Sequence, residues 1–516
     1  LRINTLRIVR KIVQLLFLGL FIYLFVATVR DNPTILPVDL FFRMDPLLAL
    51  VSMLASRQFI LALVLGIAAF LAAFVVGRAW CGWVCPLGTI LDLVPGRAGR
   101  RLSPHWRMVK YGVLGAMVLS AFWGNLTLTI LDPVTIAARS LATFLLPALN
   151  WAVTGLEIQL YPLEPFQGPL TWIESTFRGN LLAYQAVAYQ GRWPILAIFV
   201  GVMALNLVAS RFWCRYLCPL GALLSLPAQF AWLRRRVEDD CNLCGRCSRV
   251  CTMGATDEEI ATQPGECILC LRCHANCKQE TIAYWGRWSL RGQGGFDISR
   301  RQFLAAAGSS VAATALMGAG ALAAEDSPEP IRPPGAGEDF LQLCVRCGKC
   351  MRICPTSGLQ PALWHSGWEG IWSSTLVPRI GHCEYSCNSC GQVCPTGAIP
   401  PLELAEKQVQ VLGEAHINID RCLPWARGIP CNVCEEVCPV PTKAIELHPV
   451  TITHEEGYDF EILRPHMIHH ECIGCGVCER KCPVSGTAAI RVLPLGVEPD
   501  FPTSGRGRQR RRGRRS

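Results

Sequence analysis

Hydrophobic and polar positions divide this 516-residue chain into unequal zones. Residues 12–29, IVQLLFLGLFIYLFVATV, are almost wholly apolar and long enough to cross a hydrocarbon layer as one helix. Residues 59–76, FILALVLGIAAFLAAFVV, predict a second span, residues near 111–131 a third, and 193–209, WPILAIFVGVMALNLVA, a fourth. Basic residues flank them: Arg2, Arg7, Arg10 and Lys11 before the first; Arg97, Arg100, Arg101, Arg107 and Lys110 between the second and third; Arg234, Arg235 and Arg236 after the fourth. All three groups fall on one side, which their charge makes cytoplasmic. The stretch 133–192 is then outside, and its apolar part, LATFLLPALNWAV, reads as an interfacial helix or else as another span. Further on, Ser299, Arg300, Arg301, Gln302, Phe303 and Leu304 have the form of a twin-arginine signal, followed by a weakly hydrophobic Ala/Gly core at 305–324. Read as a retained anchor, it adds a fifth crossing and places everything after it in the periplasm of an inner-membrane, multi-pass protein.

Composition sharpens this picture through cysteine. Hydrophobic residues make up 51% of the chain and charged residues 17%, as membrane segments require, but the 28 cysteines are too many for a disulfide scaffold of this size. Six runs have ferredoxin spacing: Cys241, Cys244, Cys247 and Cys251; Cys267, Cys270, Cys273 and Cys277; Cys344, Cys347, Cys350 and Cys354; Cys383, Cys387, Cys390 and Cys394; Cys422, Cys431, Cys434 and Cys438; and Cys472, Cys475, Cys478 and Cys482. C-x-x-C-x-x-C wraps a tight turn around three corners of a cubane, and the remote fourth cysteine serves the neighbouring cluster. Zinc prefers two paired knuckles and fits this spacing poorly. The reading is six [4Fe-4S] clusters. In the first two runs, the first three cysteines of each pair with Cys277 and Cys251 respectively. CLRCH, Cys270 to His274, matches a haem-attachment motif, but both its cysteines are already needed.

Four cysteines remain, in two phrases: GRAWCGWVCPLGTI from Gly77 and SRFWCRYLCPLGAL from Ser210. Seven of the fourteen positions match, including Arg78/Arg211 and Trp80/Trp213. RMDP at Asp45 and ILDP at Asp132 echo the repeat, which predicts a pseudo-twofold axis along the membrane normal. That axis brings Cys81, Cys85, Cys214 and Cys218 together, with Pro86 and Pro219 starting new helices. Three readings stay open for them: a further metal or redox centre, a pair of disulfides on a reducing face, or packing. Only His105 of the ten histidines lies in the membrane portion, so a bis-histidine haem is excluded there.

The expected fold class is an α-helical membrane bundle of about five transmembrane helices with an internal repeat, plus α+β bacterial-ferredoxin-like modules. The expected organisation is a membrane domain at 1–235, a cytoplasmic two-cluster ferredoxin at 236–290, the signal anchor at 299–324, a linker at 325–340, a periplasmic four-cluster module at 341–500 and a basic tail at 501–516. The tail, RGRQRRRGRR, carries seven arginines and much of the net charge of +10; a charge run alone does not indicate nucleic acid.

The two C-x-x-x-C-P phrases with the following ferredoxin pair resemble the NapH family of membrane subunits. The portion from Ser299, with GHCEYSCNSCGQVCPTGAI and CLPWARGIPCNVCEEVCPVP, resembles the NapG family. The chain thus resembles a natural fusion of two polypeptides that work together as a quinol dehydrogenase. The resemblance implies quinol as substrate, the quinone pool and lipid as surroundings, and a periplasmic reductase or cytochrome as electron acceptor, within a multi-subunit complex. Asp45, Asp132 and His105 are the candidate acceptors for quinol protons, although Asp before Pro also caps helices. The alternatives are an electron wire without its own quinone site and a maturation factor for a metalloenzyme.

Overall fold

The computed structural model describes residues 3–29, 36–96, 103–178, 187–286 apart from 258, parts of 304–315, 330–453 and 459–499. The Ser299–Phe303 portion of the twin-arginine motif and the tail at 501–516 lie outside the described residues, as do linker residues 325–329.

The first half of the chain is built twice from the same parts. Helix Ile3–Val26 corresponds to Val109–Phe122, Pro46–Ser56 to Pro133–Ser140, and Val64–Val76 to Arg192–Val208. The helical turns Ala79–Trp83 and Trp213–Leu217 correspond, as do helices Pro86–Leu93 and Pro219–Ala228. The local sequence explains the repeated starts. Asp45 accepts hydrogen bonds from the Leu47 and Leu48 amides at 2.8 and 3.2 Å, and Asp132 from the Thr135 amide at 2.8 Å, each just before a proline at the first helical position.

Among the described residues two helices are long and apolar enough to cross a membrane, Arg7–Val26 and Pro133–Leu160. The segments expected to span at 59–76, 111–131 and 193–209 instead form shorter helices: Leu61–Val76, Val109–Phe122 and Arg192–Val208. The stretch read as interfacial belongs to the 28-residue helix Pro133–Leu160, which runs through a π-turn at Leu141–Leu145. Its polar residues Arg139, Thr143 and Asn150 broke the apolar run in the sequence; all three are buried.

The two halves interlock. Pro219–Ala228 packs on Val64–Val76 of the other half, and Pro86–Leu93 packs on Pro133–Ser140. One continuous core results, drawing Leu47, Leu87, Val134 and Leu220 from both halves. Among the described residues the sheets are four antiparallel strand pairs, all outside this helical unit. Leu233–Val237 with Ile282–Gly286 closes the Cys241–Cys277 module; the other three pairs lie in the Cys344–Cys482 module.

Both modules are seated on the helical unit. Near one end of helix Ile3–Val26, the Arg10 guanidinium donates to the Cys270 carbonyl at 3.5 Å. Just beyond its other end, Ala27–Val29 meets helix Lys349–Ile353 of the second module. Within the partly described segment 304–315, the Ser310 hydroxyl donates to the Gly112 carbonyl at 2.9 Å.

Candidate redox centres

In the second module the cysteines gather into four chambers, and every chamber mixes two runs. Cys344, Cys347 and Cys350 share a cavity of about 380 Å³ with Cys394. Cys354 joins Cys383, Cys387 and Cys390 around about 420 Å³. Cys422, Cys431 and Cys434 share about 380 Å³ with Cys482, and Cys438 joins Cys472, Cys475 and Cys478 around about 330 Å³. The remote cysteine of each run thus crosses to its partner run. Four thiols facing one apolar chamber suit a cubane and leave no ligand of these runs over. Burial pushes the Cys347 and Cys434 thiols up to about 12 and Cys422 to about 11, so iron must displace protons to bind there. When bound, such clusters supply one-electron carriers; the protein supplies spacing, charge and insulation.

The chamber around Cys347 is the one nearest the helical unit. Val345 and Cys347 belong to the same core as Val134 and Ala142. Buried cations surround it. Arg346 donates to the Cys344 carbonyl at 2.9 Å and to the Thr127 hydroxyl at 3.2 Å, and Lys349 donates to the Val38 carbonyl. Burial lowers the Lys349 amine to about 8, opposed first by the neighbouring Cys347.

In the first module, Cys241, Cys247, Cys273 and Cys277 pack around Ile260 and Ile282. Cys251, Cys267 and Cys270 instead pack against the helical core, and Cys267 lies within electrostatic reach of Cys251, Cys270 and Cys273. The Cys267–Cys270 loop rests on the first C-x-x-x-C phrase. The Trp83 indole donates to the Leu269 carbonyl at 3.1 Å, and a Cβ added at Gly82 would lie 2.2 Å from the Ile268 carbonyl oxygen. Only glycine permits that approach.

Cys81, Cys85, Cys214 and Cys218 are all buried, are free thiols, and share one core. Cys85 and Cys218 sit at the N-caps of the helices that begin at Pro86 and Pro219, and the Cys218 thiol accepts the Gly221 amide at 3.3 Å. The matching arginines cross between the halves. Arg211 donates to the Cys81 carbonyl at 2.8 Å and the Gly88 carbonyl at 3.0 Å; Arg78 donates to the Cys214 carbonyl at 3.4 Å. Gly221 leaves room for this, since a Cβ there would lie 2.6 Å from the Arg78 guanidinium.

Each crossing arginine has its own carboxylate. Asp92 takes Arg211 at 2.9 and 2.8 Å, Arg10 at 2.7 Å and Gln14 at 3.1 Å. Glu266, from the first module, takes Arg78 at 2.8 Å and also pairs with Lys110. Sequence reasoning missed Asp92 and Glu266. The matched arginines were the available signal, because two buried cations require counter-charges.

Asp45 and Asp132 are fully buried and lie close enough to interact with one another. Each spends one carboxylate oxygen on its helix cap, and the two carboxyls interact with one another side chain to side chain. His105 does not join them. It lies exposed on the 3-10 turn Pro104–Met108, next to the turn Arg107 that contacts the first module.

This combination of crossed four-thiol chambers in small strand-and-loop modules defines an iron–sulfur electron-transfer protein. A family described as 4Fe-4S binding domain matches residues 58–104 and 192–238, and two described as 4Fe-4S dicluster domain match 332–399 and 427–486. The methylamine utilization ferredoxin-type protein MauM of Paracoccus denitrificans is 36% identical over 226 residues, covering 41% of this chain and 93% of that protein. MauM of Methylorubrum extorquens is 37% identical, with 41% and 94% covered. The ferredoxin-type protein NapG of Escherichia coli is 32% identical over 219 residues, with 40% and 90% covered. The chain belongs to this family of ferredoxin-type proteins that carry [4Fe-4S] clusters. No solved structure matches it.

Proposed function

We propose that the chain is a membrane-embedded quinol dehydrogenase that passes electrons through six [4Fe-4S] clusters toward a periplasmic redox partner. The observation that carries this reading is the seating of two ferredoxin modules at opposite ends of one helix. Gln14, beside Arg10, contacts the first phrase under the Cys241–Cys277 module, while Ala27–Val29 meets the Cys344–Cys482 module. From Arg10, which donates to the Cys270 carbonyl, to Ala27–Val29 the rise of 1.5 Å per residue gives roughly 27 Å, close to the hydrocarbon thickness of a bilayer, about 30 Å. The short apolar helices then serve as spans and half-spans of one interlocked membrane unit, and the helix in the partly described segment 304–315 packs beside it as the anchor.

Quinol oxidation releases two electrons and two protons, and a buried site needs proton acceptors. The Asp45 and Asp132 carboxyls meet that need: both are fully buried and they interact with one another. The two carboxyls also lie close enough together to pass a proton between them. The cations around Cys347 favour the reduced, more negative state of the chamber nearest the helical unit, which suits it to receive electrons first.

The test is reduction of the anaerobically purified full chain by a soluble quinol, followed through its iron–sulfur EPR signals. Reduction by quinol, abolished in the Asp45→Asn/Asp132→Asn double variant, supports the reading. If several quinols fail where dithionite succeeds, the chain is a wire without its own quinone site. Normal reduction together with a partner enzyme that stays inactive even with artificial donors indicates a maturation factor.

A further inference from the structure

We propose that Glu414, His416 and His469 bind one late first-row divalent ion, such as zinc, at the surface beside the Cys438, Cys472, Cys475 and Cys478 chamber, where its charge bears on the cluster of that chamber. The inference stands apart from the quinol reading and uses no cysteine as a ligand.

Local structure assembles the trio. Strand Glu414–Ile417 runs antiparallel to Ile490–Leu493. Alternate side chains of a strand share a face, so Glu414 and His416 stand on the same side. Ala415, between them, is buried in the core of the module. The 3-10 turn His469–Glu471 brings in the third side chain. One carboxylate oxygen, Glu414 Oε2, lies 3.9 Å from His416 Nε2 and 3.9 Å from His469 Nδ1. The two imidazole rings have their centroids 5.1 Å apart and are tilted by 41°.

These separations suit ligands of a single ion. An ordinary surface pair would bring one histidine into hydrogen-bond range of the carboxylate; at 3.9 Å neither histidine is bonded to it. Metal–ligand bonds of about 2.1 Å put two ligand atoms about 3.4 Å apart at a tetrahedral angle and about 4.2 Å apart across the ion. The three ligand atoms lie within 4.8 Å of one another, and no other set of three His, Cys, Asp or Glu side chains among the described residues does so. The Glu414 and His469 side chains are 37% and 49% exposed, so small rotations can close on an ion. Two imidazoles and one carboxylate are a zinc donor set that leaves a position open to water. Calcium and magnesium take oxygen ligands instead.

The frame that holds the trio is also the frame of the chamber. The Cys472 thiol accepts the Ala415 amide, from the residue between the two strand ligands. The Cys472 amide donates to the His469 carbonyl at 3.1 Å, and the Leu412 amide to the Ile473 carbonyl at 3.0 Å. Gly474, with φ at +67°, permits this approach, since a Cβ there would lie 2.3 Å from the Gly413 carbonyl oxygen. Strand, turn and cysteine loop therefore form one piece, and the ligands are placed before an ion arrives, which lowers the ordering penalty of binding. A doubly positive ion at this position favours the reduced, more negative state of the neighbouring cluster. Loading the site thus raises the reduction potential of that cluster.

Zinc alone is the probe. The anaerobically purified full chain, with its iron complete and loosely held metal removed by EDTA, is dialysed against zinc, and its clusters are titrated by EPR with and without the ion. The unsubstituted chain should take up one zinc, and one cluster component should move to higher potential. His416→Ala/His469→Ala should weaken that zinc by at least about a hundredfold, more than the loss of an outer-shell partner does, and its cluster potentials should ignore added zinc. Zinc held equally well by the double variant, or not held by the unsubstituted chain, would overturn the proposal, as would a bound zinc that moves no cluster potential. A double variant that fails to accumulate leaves the decision to Glu414→Gln, which keeps the shape of the side chain: zinc uptake unchanged there means no site.

Discussion

Asp92→Asn isolates the force that locks the two halves together. Asp92 is the counter-charge for Arg211, bonded at 2.9 and 2.8 Å, and for Arg10 at 2.7 Å. Both arginines are almost completely buried, at 1% and 3% exposure. The asparagine keeps the shape but removes the charge, leaving two buried guanidinium ions facing one another without their counter-charge. Removing one partner of a buried pair is destabilising by about 3–5 kcal/mol. Since two cations share this carboxylate, the upper half of that range applies. An opening free energy lower by that amount, about 4–5 kcal/mol, corresponds to about a thousand- to several-thousandfold faster exchange. Hydrogen exchange read by mass spectrometry on peptides covering 79–93 and 206–218 measures it directly. Arg43→Gln is the internal control. Its Asp39 pair is formed by a side chain that is 35% exposed, so the expected effect is below about 0.5 kcal/mol. Exchange in Asp92→Asn accelerated less than about fivefold, or no more than in Arg43→Gln, would refute the claim that crossed ion pairs hold the halves together. Adding Arg10→Gln to Asp92→Asn should restore part of the loss, because one of the two stranded charges is gone.

Three further outcomes follow from the geometry. Gly82→Ala places a Cβ against the Ile268 carbonyl, backbone against backbone, so the Cys267–Cys270 loop must lift; a loss of about 1–3 kcal/mol is expected, seen as faster proteolysis of 236–290 with the rest of the chain intact. Cys354→Ser should perturb the cluster signal of the Cys383, Cys387 and Cys390 chamber and spare that of Cys344, Cys347 and Cys350; the reverse pattern in EPR of the reduced protein would show that the ligands do not cross. Asp45→Asn keeps its helix cap, since asparagine caps about as well as aspartate, so thermal stability should change by less than about 1 kcal/mol while the rate of cluster reduction by quinol falls.

The ferredoxin chambers were legible in the sequence because their geometry is local: C-x-x-C-x-x-C can wrap only one corner, and the remote cysteine must go elsewhere. The repeat was legible from Arg78/Arg211, Trp80/Trp213 and the two CPLG turns. What escaped was everything set by contacts across long sequence separation. Nothing near Glu266 announces that it will meet Arg78, and nothing near Asp92 names Arg211 or Arg10. Pro133–Leu160 could be read from the sequence as interfacial or as a span, because Arg139, Thr143 and Asn150 interrupt its apolar run and only the packing of other segments shows them buried. The short apolar helices Pro46–Ser56 and Pro219–Ala228 fall below the length at which an apolar run signals a crossing.

The exchange of arginines between the phrases dictates an order of events on the ribosome. When the first phrase emerges, its Cys81 carbonyl and its Asp92 carboxylate have no Arg211 to meet, and Arg78 has neither Cys214 nor Glu266. That half stays unfinished through more than a hundred residues of further synthesis: the Asp92 lock waits for Arg211, and the Arg78 lock closes only after Glu266 has been made. A truncated message ending before that point yields a chain with stranded charges in its core, recognisable to quality-control proteases as incomplete.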